Sequence, residues 1–183
     1  YNANGTSTLT VEMQAFPIVG IAGTEWTRLL NGKIDTTSSP QSNFLSITPS
    51  PSPESSLVIS FSNSLATSFK VNNFPFLFGL SQLLNDKWFE RPLFENDVRG
   101  VIRREQGIIR FEELNFISKG RMSLRGNLSM ELDHRLTGNL EIGVSAGLID
   151  TSNTQLDAMF GPTEDGFRRV KLKISGTSTS PTD

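Results

Sequence analysis

The chain has 183 residues, 36% of them hydrophobic and 20% charged, with a formal net charge of −2; this length allows one domain or two small ones and burial of roughly 70% of the surface that the unfolded chain exposes. The slight acidity gives no general electrostatic pull toward nucleic acid or anionic membranes. The absence of cysteine excludes a disulfide framework, a thiolate metal site and a cysteine nucleophile.

Along the chain, "YNANGTS" reads as a frayed polar start, and the first residue is Tyr1, so the sequence is expected to be a piece of a longer protein. In "TLTVEMQ" Leu9, Val11 and Met13 alternate with polar residues, the signature of a strand with one buried face. "GTEWTRLLNGK" predicts a short helix capped by Thr24, with Trp26, Leu29 and Leu30 on one face and Gly32 at its end. The Ser/Pro-rich stretch over 35–56, with prolines at 40, 49, 51 and 53, predicts a long surface loop carrying a short edge strand at Phe44 to Thr48. "LVISF" and "TSFKV" resume strand character. "PFLFGLSQLLNDKWF" then places Leu77, Leu80, Leu84 and Trp88 at helical spacing behind Pro75, a favourable first-turn residue. This apolar run is far shorter than the ~20 residues that span a bilayer.

From Val98 onward the pattern is almost entirely strand. "DVRGVIRREQGIIRFEELNFIS" predicts two strands joined at Arg104 to Gln106. The parity change between Ile109/Phe111 and Leu114/Phe116 predicts a β-bulge at Glu112-Glu113. Met122, Leu124, Leu128, Met130 and Leu132 share one parity. The chain turns at Asp133-His134-Arg135, and Leu136, Leu140, Ile142 and Val144 share one parity on the return: a long hairpin with one apolar face. Residues Leu148 to Asp157 read as a loop. The final strand directs Val170, Leu172 and Ile174 inward and Arg169, Lys171 and Lys173 outward.

A short echo links the two halves. "STLTVEMQAFP…RLLNGK" and "ATSFKVNNFP…QLLNDK" share the order strand, Phe-Pro, helix, Leu-Leu-Asn, which suggests a repeated strand–helix unit. The halves are then 1–68 and 69–183, in one continuous domain.

Reactive constellations are not evident. The single histidine, His134, lies in a hairpin turn without ligand-spaced partners. Adjacent Glu112 and Glu113 point to opposite faces of a strand and make a poor acid/base pair. No phosphate loop or nucleophile elbow occurs. Arg99, Arg103, Arg104 and Arg110, near Phe94 and Phe111, form a local basic patch that reads as ordinary strand decoration in an acidic chain rather than a nucleic-acid surface.

Residues 69 to 181 resemble the C-terminal region of the AsmA-like family of bacterial envelope proteins, relatives of the TamB type. Three stretches carry the resemblance in order: "FKVNNFPFLFGLSQLL", "GVIRREQGIIRFEELNFISKGRMSLRGNLSMELDHRLTGNLEIGV" and the closing "VKLKISGTSTSPTD". The region before Phe69 fits only through the internal echo, and its Ser/Pro loop departs from the pattern. The resemblance implies a curved, mostly antiparallel sheet with an apolar face, in a periplasmic protein anchored in the inner membrane and concerned with phospholipid movement. It carries over no catalytic residue. It also gives the echo a role, each Leu-Leu-Asn helix capping the apolar face of one strand unit.

The expectation is therefore a mainly β domain with a curved antiparallel sheet and two short capping helices, not an enzyme, with no cofactor or metal. Its expected partners are phospholipid or another acyl lipid and other envelope proteins, and no nucleic acid. The candidate lipid groove is lined by Met122, Leu124, Leu128, Met130, Leu132, Leu136, Leu140, Ile142, Val144, Val170, Leu172 and Ile174. The rival expectation is a structural or protein-interaction module whose sheet is fully covered and binds no lipid.

Overall fold

In the computed structural model, residues 7–37, 43–48, 54–65, 67–95 and 97–183 are described. In the first half, β1 (Ser7–Thr10), β2 (Phe16–Pro17), α1 (Val19–Ala22), α2 (Thr24–Thr27), β3 (Leu30–Asn31), β4 (Lys33–Thr36), β5 (Phe44–Thr48) and β6 (Glu54–Asn63) follow one another. Then come β7 (Phe69–Val71), α3 (Pro75–Leu83), a 3-10 turn at Lys87–Glu90, β8 (Leu93–Phe94), β9 (Asp97–Glu105) and β10 (Ile108–Ser118). The last third contains β11 (Met122–Met130), β12 (Leu136–Ser145), a 3-10 turn at Ala146–Leu148, α4 (Thr154–Met159), β13 (Thr163–Glu164), β14 (Phe167–Gly176) and β15 (Pro181–Thr182).

The fold is mainly β: one large antiparallel sheet, not closed into a barrel, runs in the order β1-β5-β6-β9-β10-β11-β12-β14-β13. A small sheet, β3-β7-β8, and the helices form a second layer on one of its faces. Strands from the two halves interleave, since β6 pairs with β9 and β3 with β7. Their buried side chains form one cluster.

The bulge sits where the parity change places it. Phe111 opposes Leu128, but the next inward residue, Leu114, opposes Gly126, so Glu112 and Glu113 together face one partner residue. Glu113 has φ +52°. The extra residue lets Phe111, Leu114 and Phe116 all face the core. Phe111 and Phe116 join Phe61, Phe69 and Phe94 in a chain of ring contacts; the Phe69–Phe116 and Phe94–Phe116 centroids lie 5.1 and 5.5 Å apart. That aromatic seam ties the small sheet to the large one.

Several local expectations are corrected. Of the predicted helix over "GTEWTRLLNGK" only Thr24–Thr27 is helical, the single turn α2; another single turn, α1, precedes the segment, and Gly23 at φ +82° separates the two. Gly23, not Thr24, occupies the cap of α2, without a side-chain cap bond. Leu30 and Asn31 leave the helix and pair with Val71 and Lys70. In the second copy Leu83 ends a true helix, Asn85 turns the chain at φ +51°, and Trp88 belongs to the following 3-10 turn, donating its N–H to the Asp86 carboxylate. The echo is thus one of composition: both segments lay apolar side chains on the same core, but with different backbones.

Within the predicted loop over 35–56, Asp35 and Thr36 end β4 and Glu54–Ser56 begin β6. The strand Phe44–Thr48 is interior, not an edge, because β1 pairs with its outer side. Residues 38–42 and 49–53 of that loop lie outside the described residues. The hairpin from β9 to β10 turns at Gln106-Gly107, with Glu105 still in the strand. The expected loop from Leu148 to Asp157 contains most of α4, capped by the Asn153 side chain, which accepts the N–H groups of Gln155 and Leu156 at 3.1 and 3.2 Å. Among the described residues, no helix is long and apolar enough to cross a membrane.

Candidate functional site

Parity places the predicted apolar strip on one face of three neighbouring strands. Leu124 opposes Ile142, Ile142 opposes Val170, Leu140 opposes Leu172, and Met130 opposes Leu136. Met122, Leu124, Leu128, Met130, Leu136, Leu140, Ile142, Val144 and Ile174 are all buried. Val170 and Leu172, on the last long strand, are half-buried and pack against the same cluster. Leu132 departs from the set. It lies beyond the end of β11, is 73% exposed, and rests over Gly107, where a Cβ would come within 2.5 Å of its Cδ2. The strand ladder ends at Met130, so parity no longer constrains Leu132.

Three devices hold the second layer over this face. Trp26 of α2, fully buried, packs its ring at a tilt of 54° against Phe111, with centroids 4.5 Å apart. Arg168, on β14, projects to the core side and fastens α4. Its guanidinium donates to the carbonyls of Asp157, Phe160 and Gly161 at 2.9, 2.8 and 2.8 Å, and to the Asp157 carboxylate at 2.6 Å. A helix end leaves its last carbonyls unpaired, and one planar cation satisfies them together. The third device is the segment Thr177–Asp183. Ser178 donates to the Glu25 carboxylate of α2, and Asp183 accepts the Phe76 N–H at the start of α3.

These contacts shift two carboxyls in opposite directions. The Ser178 hydroxyl, with help from the Arg28 charge, holds Glu25 below the ordinary glutamate range. Partial burial pushes Asp183 above the ordinary aspartate range, against the opposing effect of the Phe76 N–H.

The other predicted points of chemistry are dispersed. His134 is exposed in its turn at φ +64°. Glu112 pairs with Arg103 at 3.3 Å and Glu113 is exposed at the bulge. Of the basic patch, Arg103 and Arg110 pair with Glu105 and Glu112, and the nearby rings of Phe94 and Phe111 are sealed in the core. Among the described residues, no group of three or more His, Asp or Glu side chains is placed to hold a metal ion.

The opposite face of β11, β12 and β14 carries a shallow depression of about 480 Å³ ringed by Arg125, Asn127, Asn139, Glu141, Lys171 and Lys173, with Gly126, Leu140 and Leu172 also in its lining. The outward direction of Lys171 and Lys173 is legible from alternation, but their position beside Arg125 and the two asparagines depends on the adjacency of β14 and β12. Arg169 shares their face yet is largely covered, its guanidinium lying 3.4 Å from Glu141 and over the Phe167 ring. Arg168 was not among the expected site residues. Its signal, a second arginine with the parity of Val170, acquires meaning only once α4 is in place. No protein-family model, curated protein sequence or solved structure matches the chain.

Proposed function

We propose that this domain is a non-catalytic β-sheet module of a bacterial envelope protein of the AsmA-like type, located in the periplasm as part of a membrane-anchored parent chain. In this reading its apolar sheet face is closed by its own helices, and it meets its neighbours through its uncovered surfaces. One observation carries the choice between groove and closed module: nine of the twelve candidate groove residues are buried in a single cluster with side chains of α1 to α4. Acyl chains need only dry apolar area, at about 25 cal/mol per Å² buried. Here that area is already occupied by Trp26, Leu77, Leu80, Leu156 and Phe160. The ordered similarity of residues 69 to 181 and the open antiparallel sheet with helices on one face support the envelope setting. Among the described residues no strand pairs with the outer side of β1, whose four residues are exposed, and another strand can continue the sheet there.

The test is a titration of the domain with a fluorescent fatty acid, with phospholipid as competitor. The closed module gives no saturable signal. Saturable binding displaced by phospholipid would overturn the closed reading and identify the strip as a groove.

A further inference from the structure

The large sheet also carries an ordered pattern on the face turned away from the core. One row of cross-strand neighbours runs over five adjacent strands: Arg99, Asn115, Arg125, Glu141 and Lys171. A second row beside it contains Asn127, Asn139 and Lys173. At about 4.8 Å between strands, the longer row extends roughly 19 Å.

This face differs in charge from the whole chain. The two rows hold four cations and one carboxylate, while the chain as a whole has a net charge of −2. The carboxylate, Glu141, faces Arg169 at 3.4 Å. Among the described residues none of the four cations is in an ion pair; Arg125 donates only to the Asn115 side-chain oxygen at 3.4 Å. Lys171, Lys173, Asn127 and Asn139 are exposed around the depression, whose floor passes Gly126.

The residue types narrow the ligand. Arginine and lysine recognise carboxylate, sulfate or phosphate groups. Three asparagine amides and Glu141 add donors and acceptors suited to hydroxyls. The rows contain no aromatic ring, and Phe167, toward the start of β14 on the same face, has the Arg169 guanidinium over its ring at 5.8 Å, so nucleic-acid bases would find no free stacking platform along them. They contain no apolar anchor to enter a bilayer, and a lipid surface makes no use of an amide ladder. We propose that these rows bind an acidic polysaccharide lying across the strands, its charged groups on Arg99, Arg125, Lys171 and Lys173 and its hydroxyls on the asparagines. The site lies on the face opposite the apolar strip, and its existence is independent of whether that strip is closed.

The experiment is isothermal titration of the domain with oligoalginate, a polyuronate, at moderate ionic strength, beside neutral dextran and phosphatidylglycerol vesicles. Variants Lys171→Gln/Lys173→Gln and Asn127→Ala/Asn139→Ala alter only exposed side chains, and circular dichroism verifies their folding. Lys33→Gln/Lys87→Gln removes the same charge from exposed positions outside the rows. Saturable oligoalginate binding is expected, weakened about tenfold by the Lys171/Lys173 pair and severalfold by the asparagine pair. It is unchanged by Lys33/Lys87, and dextran does not bind. No saturable oligoalginate binding, equal loss in the Lys33/Lys87 control, or preference for the vesicles with no effect of the asparagine pair would each overturn the assignment.

Discussion

The Asp183 carboxylate accepts the backbone N–H of Phe76 at 3.0 Å, across a sequence separation of 107 residues. Pro75 opens α3 and has no N–H, so Phe76 supplies the first free donor of that helix, and a carboxylate is a suitable acceptor there. Together with the Ser178–Glu25 bond, this contact makes Thr177–Asp183 a strap over two of the elements that cover the apolar face.

The pH dependence of the strap follows from the two shifted carboxyls. Asp183 titrates above its ordinary range because of burial, so the folded state favours its protonated form. Its ionisation therefore lowers stability as pH rises from the unfolded pKa, about 3.9, through the folded one. Asp183→Asn keeps an oxygen acceptor and removes the charge. Its stability by urea denaturation should equal or exceed wild type at pH 7, and the advantage should vanish when both are measured at pH 3. A loss at pH 7 that disappears at pH 3 would show the charge to be stabilising instead.

Glu25 is the opposite case. Its pKa is lowered, first by the Ser178 hydroxyl, so its contribution is full above the unfolded glutamate pKa of about 4.3 and fades as pH falls through the lower, folded value. Ser178→Ala should lower the thermal midpoint at pH 7, with the wild-type advantage shrinking toward pH 3. A pH-independent difference would assign the effect to packing of the buried Ser178 alone.

Arg168 should be the most sensitive charged position. Its side chain is 13% exposed and bonded to three carbonyls and one carboxylate. Arg168→Met keeps much of the bulk but leaves the end of α4 unsatisfied, at a cost of about 2–4 kcal/mol. Arg168→Lys should recover only part, because a single ammonium cannot reproduce the planar fork. Denaturant midpoints decide it; a fully rescued lysine variant would reduce the role to charge.

Gly126 tests the bulge from the other strand. Its φ is +138°, and a Cβ there would lie 2.1 Å from the Asn139 carbonyl oxygen, a backbone atom that cannot step aside. Gly126→Ala should cost about 2–4 kcal/mol. Glu113→Gly, at a position already at φ +52°, should stay within about 1 kcal/mol of wild type. Thermal melts that reverse this order would contradict the register.

The hairpin, the bulge and the final strand were readable because period-two alternation is a local property: Met122 to Met130 and Leu136 to Val144 need only their own sequence to choose a face. The covering layer was less legible. α1 and α2 are single turns joined by Gly23, too short to show a helical period. The backbone difference between Leu30-Asn31 and Leu84-Asn85 arises from the pairing of β3 with β7, which local sequence does not encode. α4 shows few apolar residues and is fixed by Arg168 from a distant strand. Sequence parity therefore defined the apolar face but left open whether anything covered it. Likewise, Lys171 and Lys173 read as outward cations, while their company of Arg125, Asn127 and Asn139 follows from strand order.

With the apolar face covered by the chain's own helices, no dry surface is left for a lipid to enter. Native mass spectrometry of the domain, purified and then incubated with phospholipid vesicles, tests this most directly. The bare polypeptide mass, 20.2 kDa, is expected before and after incubation. A stoichiometric phospholipid adduct on wild type, lost in a Leu128→Lys variant that circular dichroism shows to be folded, would contradict it.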